Sequence, residues 1–155
     1  MKMIKLLMFY ILISMNFNVS AETEIEVQEP INIEVYRSPS CSCCGRWLDH
    51  LKNNQFVVTD HLTNDVQSIK DQYGVTQNMA SCHTALVNGY VIEGHVPAAD
   101  IRKLLKLKPA VIGISVPGMP VGTPGMEMGG KKDPYKVVSF DKENNYKVFS
   151  SYAGK

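Results

Sequence analysis

The 155-residue chain has almost no excess of charge, with a formal net charge of +1. It therefore offers no basic surface to neutralise a phosphate backbone, which sets nucleic-acid binding aside. It lacks an apolar run of the length a bilayer span requires, about 20 residues. It shows no internal repeat. It has one tryptophan and four cysteines, and no cysteine directly follows its early apolar run, so lipoprotein processing is not expected.

That early run carries information of its own. Lys2 and Lys5 precede an apolar stretch from Leu6 to Ile13, and Val19-Ser20-Ala21 supplies small residues of the kind a signal peptidase needs. Residues 1–21 read as a cleavable signal peptide. The alternative, an uncleaved membrane anchor, is disfavoured by the short run. Removing residues 1–21 leaves 134 residues and takes the formal charge to −1, enough chain for one domain but not two. Residues 22–30 are acidic and aperiodic, a loose leader, so the expected division is signal 1–21, leader 22–30 and a single domain 31–155.

Ile31, Ile33 and Val35 alternate with Asn32 and Glu34, the period-two pattern of a strand with one buried face. Cys44, Trp47, Leu48 and Leu51 then recur at helical spacing. Phe56–Val58 predicts a second strand. Val66, Ile69 and Tyr73 predict a second helix, capped within Thr63–Asp65 and stopped at Gly74. Two β-rich runs joined by Asn88-Gly89 predict a two-residue hairpin. A third helix starts near Pro97, carries Ile101, Leu104 and Leu105, and ends at Pro109. Beyond it lies a stretch dense in Gly, Pro and Met through which no regular helix can run, followed by a hairpin joining Val137–Phe140 to Tyr146–Phe149. The order βαβα, ββ, α predicts an α/β thioredoxin-like fold: a mixed sheet flanked by helices, extended by the Gly/Pro/Met-rich loop and a C-terminal hairpin.

Three of the four cysteines fall within "CSCC", Cys41, Cys43 and Cys44, at the turn from first strand to first helix. In an exported chain an even number of cysteines suggests disulfide staples, but three clustered thiols and one distant thiol pair poorly, and a bridge between neighbours is strained. Cys41 and Cys44 have the C-x-x-C spacing of thiol oxidoreductases, and a helix N-terminus favours thiolates. Cys43 has no part in a simple two-thiol exchange. In this fold a proline commonly stands just before the third strand; here "ASCHTA" places Cys82 there, a fourth thiol expected to converge on the others.

If Asn88-Gly89 form the hairpin turn, Val87 faces Tyr90 and, counting outward, Cys82 faces His95, with Cβ atoms about 5 Å apart. His95 is therefore a candidate ligand or an orienting neighbour. His83 points to the opposite face unless the backbone is irregular there, and is a weaker candidate. Soft sulfur donors select Cu(I), zinc or iron–sulfur clusters, and copper alone also makes strong use of methionine. Met119, Met126 and Met128 lie in the irregular stretch and Met79 just before Cys82; all four are candidate copper ligands, with Met119 and Met126 alternatively gap-filling apolar contacts under a closing loop. His50 reads as solvated, His61 as structural or exposed, and Trp47 as the anchor of the first helix. Three chemistries stay open: copper binding, thiol–disulfide exchange with Cys41 as nucleophile and Cys44 as resolving thiol, and a structural zinc module. Adjacent Cys43-Cys44 fit the usual zinc spacing badly.

"CSCCGRWLDHL", "ASCHTALVNGYVIEGHVPAADIRKLL" and "VPGMPVGTPGMEMG" together resemble the CopG-like periplasmic copper-resistance proteins, over about Ile31 to Tyr152. The resemblance implies a thioredoxin-like periplasmic domain that binds copper through Cys41, Cys43, Cys44 and Cys82 as a thiolate-bridged cluster. Met119 and Met126 lie in a loop that matches the family pattern. Interconversion of Cu(I) and Cu(II), other periplasmic copper-handling proteins and an electron-transfer partner are further expectations.

Overall fold

Alternation along Ile31–Arg37 produces the first strand, β1, with Ile33 and Val35 buried and Asn32 and Glu34 exposed. The computed structural model describes residues 29–155, so the expected signal peptide and nearly all of the leader lie outside the described residues. From β1 the chain turns at 38–41 into helix α1 (Ser42–Asn53), whose buried residues are Cys44, Trp47, Leu48 and Leu51, the four positions of the sequence stripe. Then follow β2 (Phe56–Leu62), α2 (Val66–Gln72), β3 (His83–Val87), β4 (Tyr90–Glu93), α3 (Ala98–Leu107), β5 (Gly113–Ser115), β6 (Tyr135–Phe140) and β7 (Tyr146–Tyr152).

The seven strands form one mixed open sheet in the order β2-β1-β3-β4-β5-β6-β7. β1 runs parallel to β2 and antiparallel to β3, and β4 is parallel to β5. The first four strands and three helices make the thioredoxin-like unit; β5, β6 and β7 extend its sheet beyond β4. Asn88-Gly89 form the hairpin turn with positive φ at both residues, and the ladder pairs Val87 with Tyr90 and Thr84 with Glu93, the register counted from the sequence.

Because neighbouring strand residues face opposite ways, the sheet builds two apolar clusters. One contains Ile33, Val35, Ala85, Val87, Ile92 and Ile114 against Trp47, Leu48 and Leu51 of α1 and Ile101 and Leu104 of α3. The other contains Val75, Met79, Val91, Val138 and Phe140. Met79 is thus core packing, which accounts for one of the candidate copper methionines without a ligand role.

Helix ends show how side chains complete the backbone. Asp65 caps α2 by accepting from the Ser68 N–H at 3.1 Å. Pro97 at the N-cap of α3 supplies no side-chain acceptor; instead His50 of α1 reaches across, and the Ala98 N–H donates to its Nε2 at 3.1 Å. His50 is therefore an inter-helix cap, correcting its reading as solvated.

Trp47 is fully buried, and its Nε1–H donates to the Val96 carbonyl at 2.9 Å. Trp47→Phe would leave that carbonyl without its donor and open a gap in the core. The expected cost is about 2 kcal/mol, read as a lower urea midpoint with an unchanged slope.

Candidate metal and thiol site

Cys41 occupies the N-cap of α1, and Cys43 and Cys44 lie in its first turn. Burying Trp47, Leu48 and Leu51 turns Cys44 inward, and Cys41 and Cys43 remain half-buried at the mouth. Cys41 and Cys44 are joined by a disulfide, whereas Cys43 and Cys82 are free. Cys43 Sγ lies 3.5 Å from Cys41 Sγ. Cys82 approaches from the bend before β3, and the sulfurs of all four cysteines lie within 4.8 Å of one another. The convergence expected from the sequence is what the structure displays.

Both histidine candidates join this group. Cys82 Sγ lies 3.1 Å from His95 Nε2 and 3.3 Å from His83 Nδ1. A second set of possible ligand atoms, from Cys44, Cys82, His83 and His95, also falls within 4.8 Å. For His83 this corrects the simple alternation. It begins β3 opposite Arg37, but Cys82 stands in the bend outside the pleated ladder, so the two side chains need not oppose. His95 reaches Cys82 even though the β3–β4 ladder stops at Thr84 and Glu93. Gly94, with φ +72°, bends the opposite strand at the same level.

Burial sets the charge states. It pushes the Cys82 thiol up to about 12, with the neighbouring Cys43 adding to the rise. Burial also holds His83 well below the usual imidazole range, helped by His95 and Lys70, and lowers His95. His95 Nδ1 lies 2.7 Å from the Pro124 carbonyl. A carbonyl only accepts, so this contact places the proton on Nδ1 and leaves the Nε2 lone pair facing Cys82. His83 Nε2 is buried without a hydrogen-bond partner, and its ring packs 4.2 Å from that of Trp47.

His50 is likewise lowered, chiefly by burial. For all three imidazoles the unfolded chain binds protons more readily than the folded one. Their contribution to stability is complete above the unfolded value of about 6.5 and is lost as the pH falls below it. Metal-free protein should melt at a lower temperature at pH 5 than at pH 7, a trend that thermal unfolding across that range checks.

The loop 117–126 closes the site from both flanks. At one end, the Gly118 N–H donates to the Ala80 carbonyl at 3.3 Å, and Ser81 Oγ donates to the Gly118 carbonyl. At the other, Arg46 Nε donates to the Gly125 carbonyl at 2.8 Å. A Cβ on Gly125 would stand 2.9 Å from the Cys43 carbonyl oxygen, so only glycine allows this approach. Met119 and Met126 directly follow Gly118 and Gly125, the two residues that border the cysteines. Met126 is half-buried, whereas Met119 and Met128 are exposed. His61 belongs to neither cluster of possible ligand atoms and is stacked on Tyr36.

Sequence reasoning missed the supports of this site: Ser81, Thr84, Glu93, Lys70 and the Pro124 carbonyl. One signal was readable. Lys70 stands four residues after Val66, a position where the apolar stripe of α2 calls for a hydrophobic residue.

A family described as "Protein of unknown function, DUF411" matches residues 79–126, from the Cys82 bend through α3 to the closing loop. No curated protein matches the chain. Two solved structures, described as copper resistance protein CopG in form 2 and form 1, each superpose with a TM-score of 0.77. They are 46% and 47% identical, and the matches cover 80% and 81% of this chain and 99% and 100% of theirs. At that identity, over four-fifths of this chain and essentially the whole of theirs, the chain belongs to the CopG family of copper resistance proteins.

Proposed function

We propose that the chain is an exported, periplasmic copper-binding protein of copper resistance, taking Cu(I) on Cys41, Cys43, Cys44 and Cys82. The observation that carries this reading is the gathering of four sulfurs within 4.8 Å of one another from two separate parts of the chain. Thiolates are soft donors suited to Cu(I). Neighbouring Cys43 and Cys44 cannot each wrap a separate ion, so sulfurs shared between several coppers follow from the spacing. Neutral His95 and His83 supply nitrogen donors at the inner side, and Met119 and Met126 are candidate thioether donors at the loop. Bound copper would supply one-electron chemistry between Cu(I) and Cu(II); an electron-transfer partner and other periplasmic copper-handling proteins belong to this reading.

The disulfide adds a condition. Cys41 and Cys44 can ligate only after two electrons and two protons from a dithiol reductant convert the bridge to thiols. Copper uptake should therefore be greater in dithiol-treated protein than in the disulfide form. Elemental analysis combined with a thiol count tests this: more than one copper per reduced chain supports a shared-sulfur cluster, and no copper in the reduced chain sinks the reading.

The same bridge favours one other reading, a thiol–disulfide oxidoreductase with half-buried Cys41 attacking and buried Cys44 resolving. Insulin reduction by metal-free protein separates the two, because the copper reading expects negligible turnover.

A further inference from the structure

Three of the four thiols are placed by the first turn of α1, but Cys82 stands in an irregular bend and needs another support. Behind that bend lies a buried ion pair. Lys70 of α2 and Glu93 of β4 are 5% and 0% exposed, with Nζ 2.5 Å from Oε1. Lys70 Nζ also donates to Thr84 Oγ1 at 3.0 Å, and Thr84 Oγ1 donates to Glu93 Oε2 at 2.7 Å. The remaining donor to Glu93 Oε1 is the Ser81 backbone N–H, at 2.6 Å. One carboxylate thus gathers a helix, a strand and the residue next to Cys82.

A buried ion pair is a poor device for stability alone, since well-packed apolar residues often do as well or better. Here the charges satisfy donors that apolar residues could not, because the polar groups of the bend are fixed one after another. Ser115 Oγ donates to the Met79 carbonyl at 2.6 Å, the Ala80 carbonyl accepts from Gly118, and the Ser81 N–H goes to Glu93. Gly94 approaches so closely that a Cβ there would lie 2.6 Å from Ser81 Cβ. The bend is thus anchored from behind by Ser115 and Glu93 and from the closing loop by Gly118.

We propose that Glu93, neutralised by Lys70 and oriented by Thr84, is the positioning residue that holds Cys82 against the cysteine turn. Its role is to accept the Ser81 N–H from a fixed point, and Lys70 makes a buried carboxylate tolerable there. This rests on the copper reading only in assigning Cys82 to copper. The placement of the thiol is a separate property, measurable without metal.

The test is pulsed alkylation of reduced, metal-free protein with iodoacetamide, read at Cys82 and Cys43 by mass spectrometry, in two double variants. Lys70→Met with Glu93→Leu removes the charges and the acceptor together. Cys82 should then alkylate about tenfold faster, the equivalent of one lost charge-assisted hydrogen bond, while Cys43 keeps its rate. Lys70→Met with Glu93→Gln removes the charges but keeps an amide oxygen for Ser81, and should restore the slower Cys82 rate. The proposal is overturned if the folded leucine variant leaves Cys82 at its original rate, if Cys43 accelerates equally, or if glutamine gives no rescue. Should the leucine variant fail to fold, the isosteric Thr84→Val decides: selective acceleration of Cys82 supports the proposal and an unchanged rate overturns it. Cu(I) titration of the unsubstituted protein reads the other question. No copper uptake, with Cys82 still released in the leucine variant, would sink the copper function and leave the positioning role standing.

Discussion

Cu(I) added to the dithiol-reduced chain is expected to raise its unfolding free energy by about 4 kcal/mol at a thousandfold excess over Kd, or roughly 10–15 °C in Tm for a domain of this size. Cys82→Ser is expected to remove most of that gain. The reason lies in where the ligands come from. Cys41, Cys43 and Cys44 belong to one turn of chain, so copper held by them alone ties together residues that α1 already holds in place. Cys82 comes from the bend before β3, more than thirty residues later. A metal bridging both segments binds a folded arrangement that the unfolded chain does not hold, which couples copper affinity to folding. Without copper the substitution should be mild, because Cys82 is only half-buried and its surroundings already contain polar partners. Thermal melts of both proteins with and without Cu(I) separate the two contributions. An undiminished copper-induced shift in Cys82→Ser would show that Cys82 is not a ligand.

The elements that the sequence foretold are those whose own residues carry the pattern. Cys44, Trp47, Leu48 and Leu51 are the buried face of α1 because a single helix suffices to bring them together. The Asn88-Gly89 turn specified the register of β3 and β4 down to Thr84 and Glu93, because a two-residue loop leaves no freedom to slip. Extrapolation past the last ladder pair succeeded for His95 and failed for His83. The pleat ends there, with Cys82 in a bend and Gly94 in a left-handed conformation, and period-two alternation holds only while the pleat does.

What stayed hidden depends on partners distant in sequence. Lys70 and Glu93 are 23 residues apart on elements of different type, and no local pattern says that they meet. His50 looked solvated because it lies off the apolar stripe of α1, yet Pro97 leaves the start of α3 without a side-chain cap and the imidazole fills that need. The thiol pair Cys41 and Cys44 was legible from its spacing, and the contribution of Cys82 from its place before the third strand. The loop's two anchors, at Gly118 and Gly125, depend on backbone approach rather than on side-chain pattern.

The strand that went unread, β5, is also where one methyl group should do the greatest structural harm. Gly113–Ser115 is three residues long and lies in a Gly- and Pro-rich stretch; it is a strand because β4 and β6 flank it. Gly113 pairs with Val91, and a Cβ there would stand 1.9 Å from the Val91 carbonyl oxygen and 2.7 Å from its carbonyl carbon. No rotamer relieves a clash between two backbones, so Gly113→Ala must push β5 away from β4. The Val91 N–H, which donates to the Ile112 carbonyl at 3.0 Å, would lose its partner, and fully buried Ile114 would lose its packing against Ile92. The expected cost is about 4 kcal/mol or more, among the largest for a single substitution, because β4 joins β5, and through it β6 and β7, to the rest of the sheet. The loss should extend to the cysteine cluster, since loop 117–126 leaves directly from this strand and carries the Gly118 contacts with Ala80 and Ser81. Hydrogen exchange provides the check: protection should fall first in β5, β6 and β7 and last in β1 and β3. A variant with native protection in β5 and a native melting temperature would refute the close approach at Gly113.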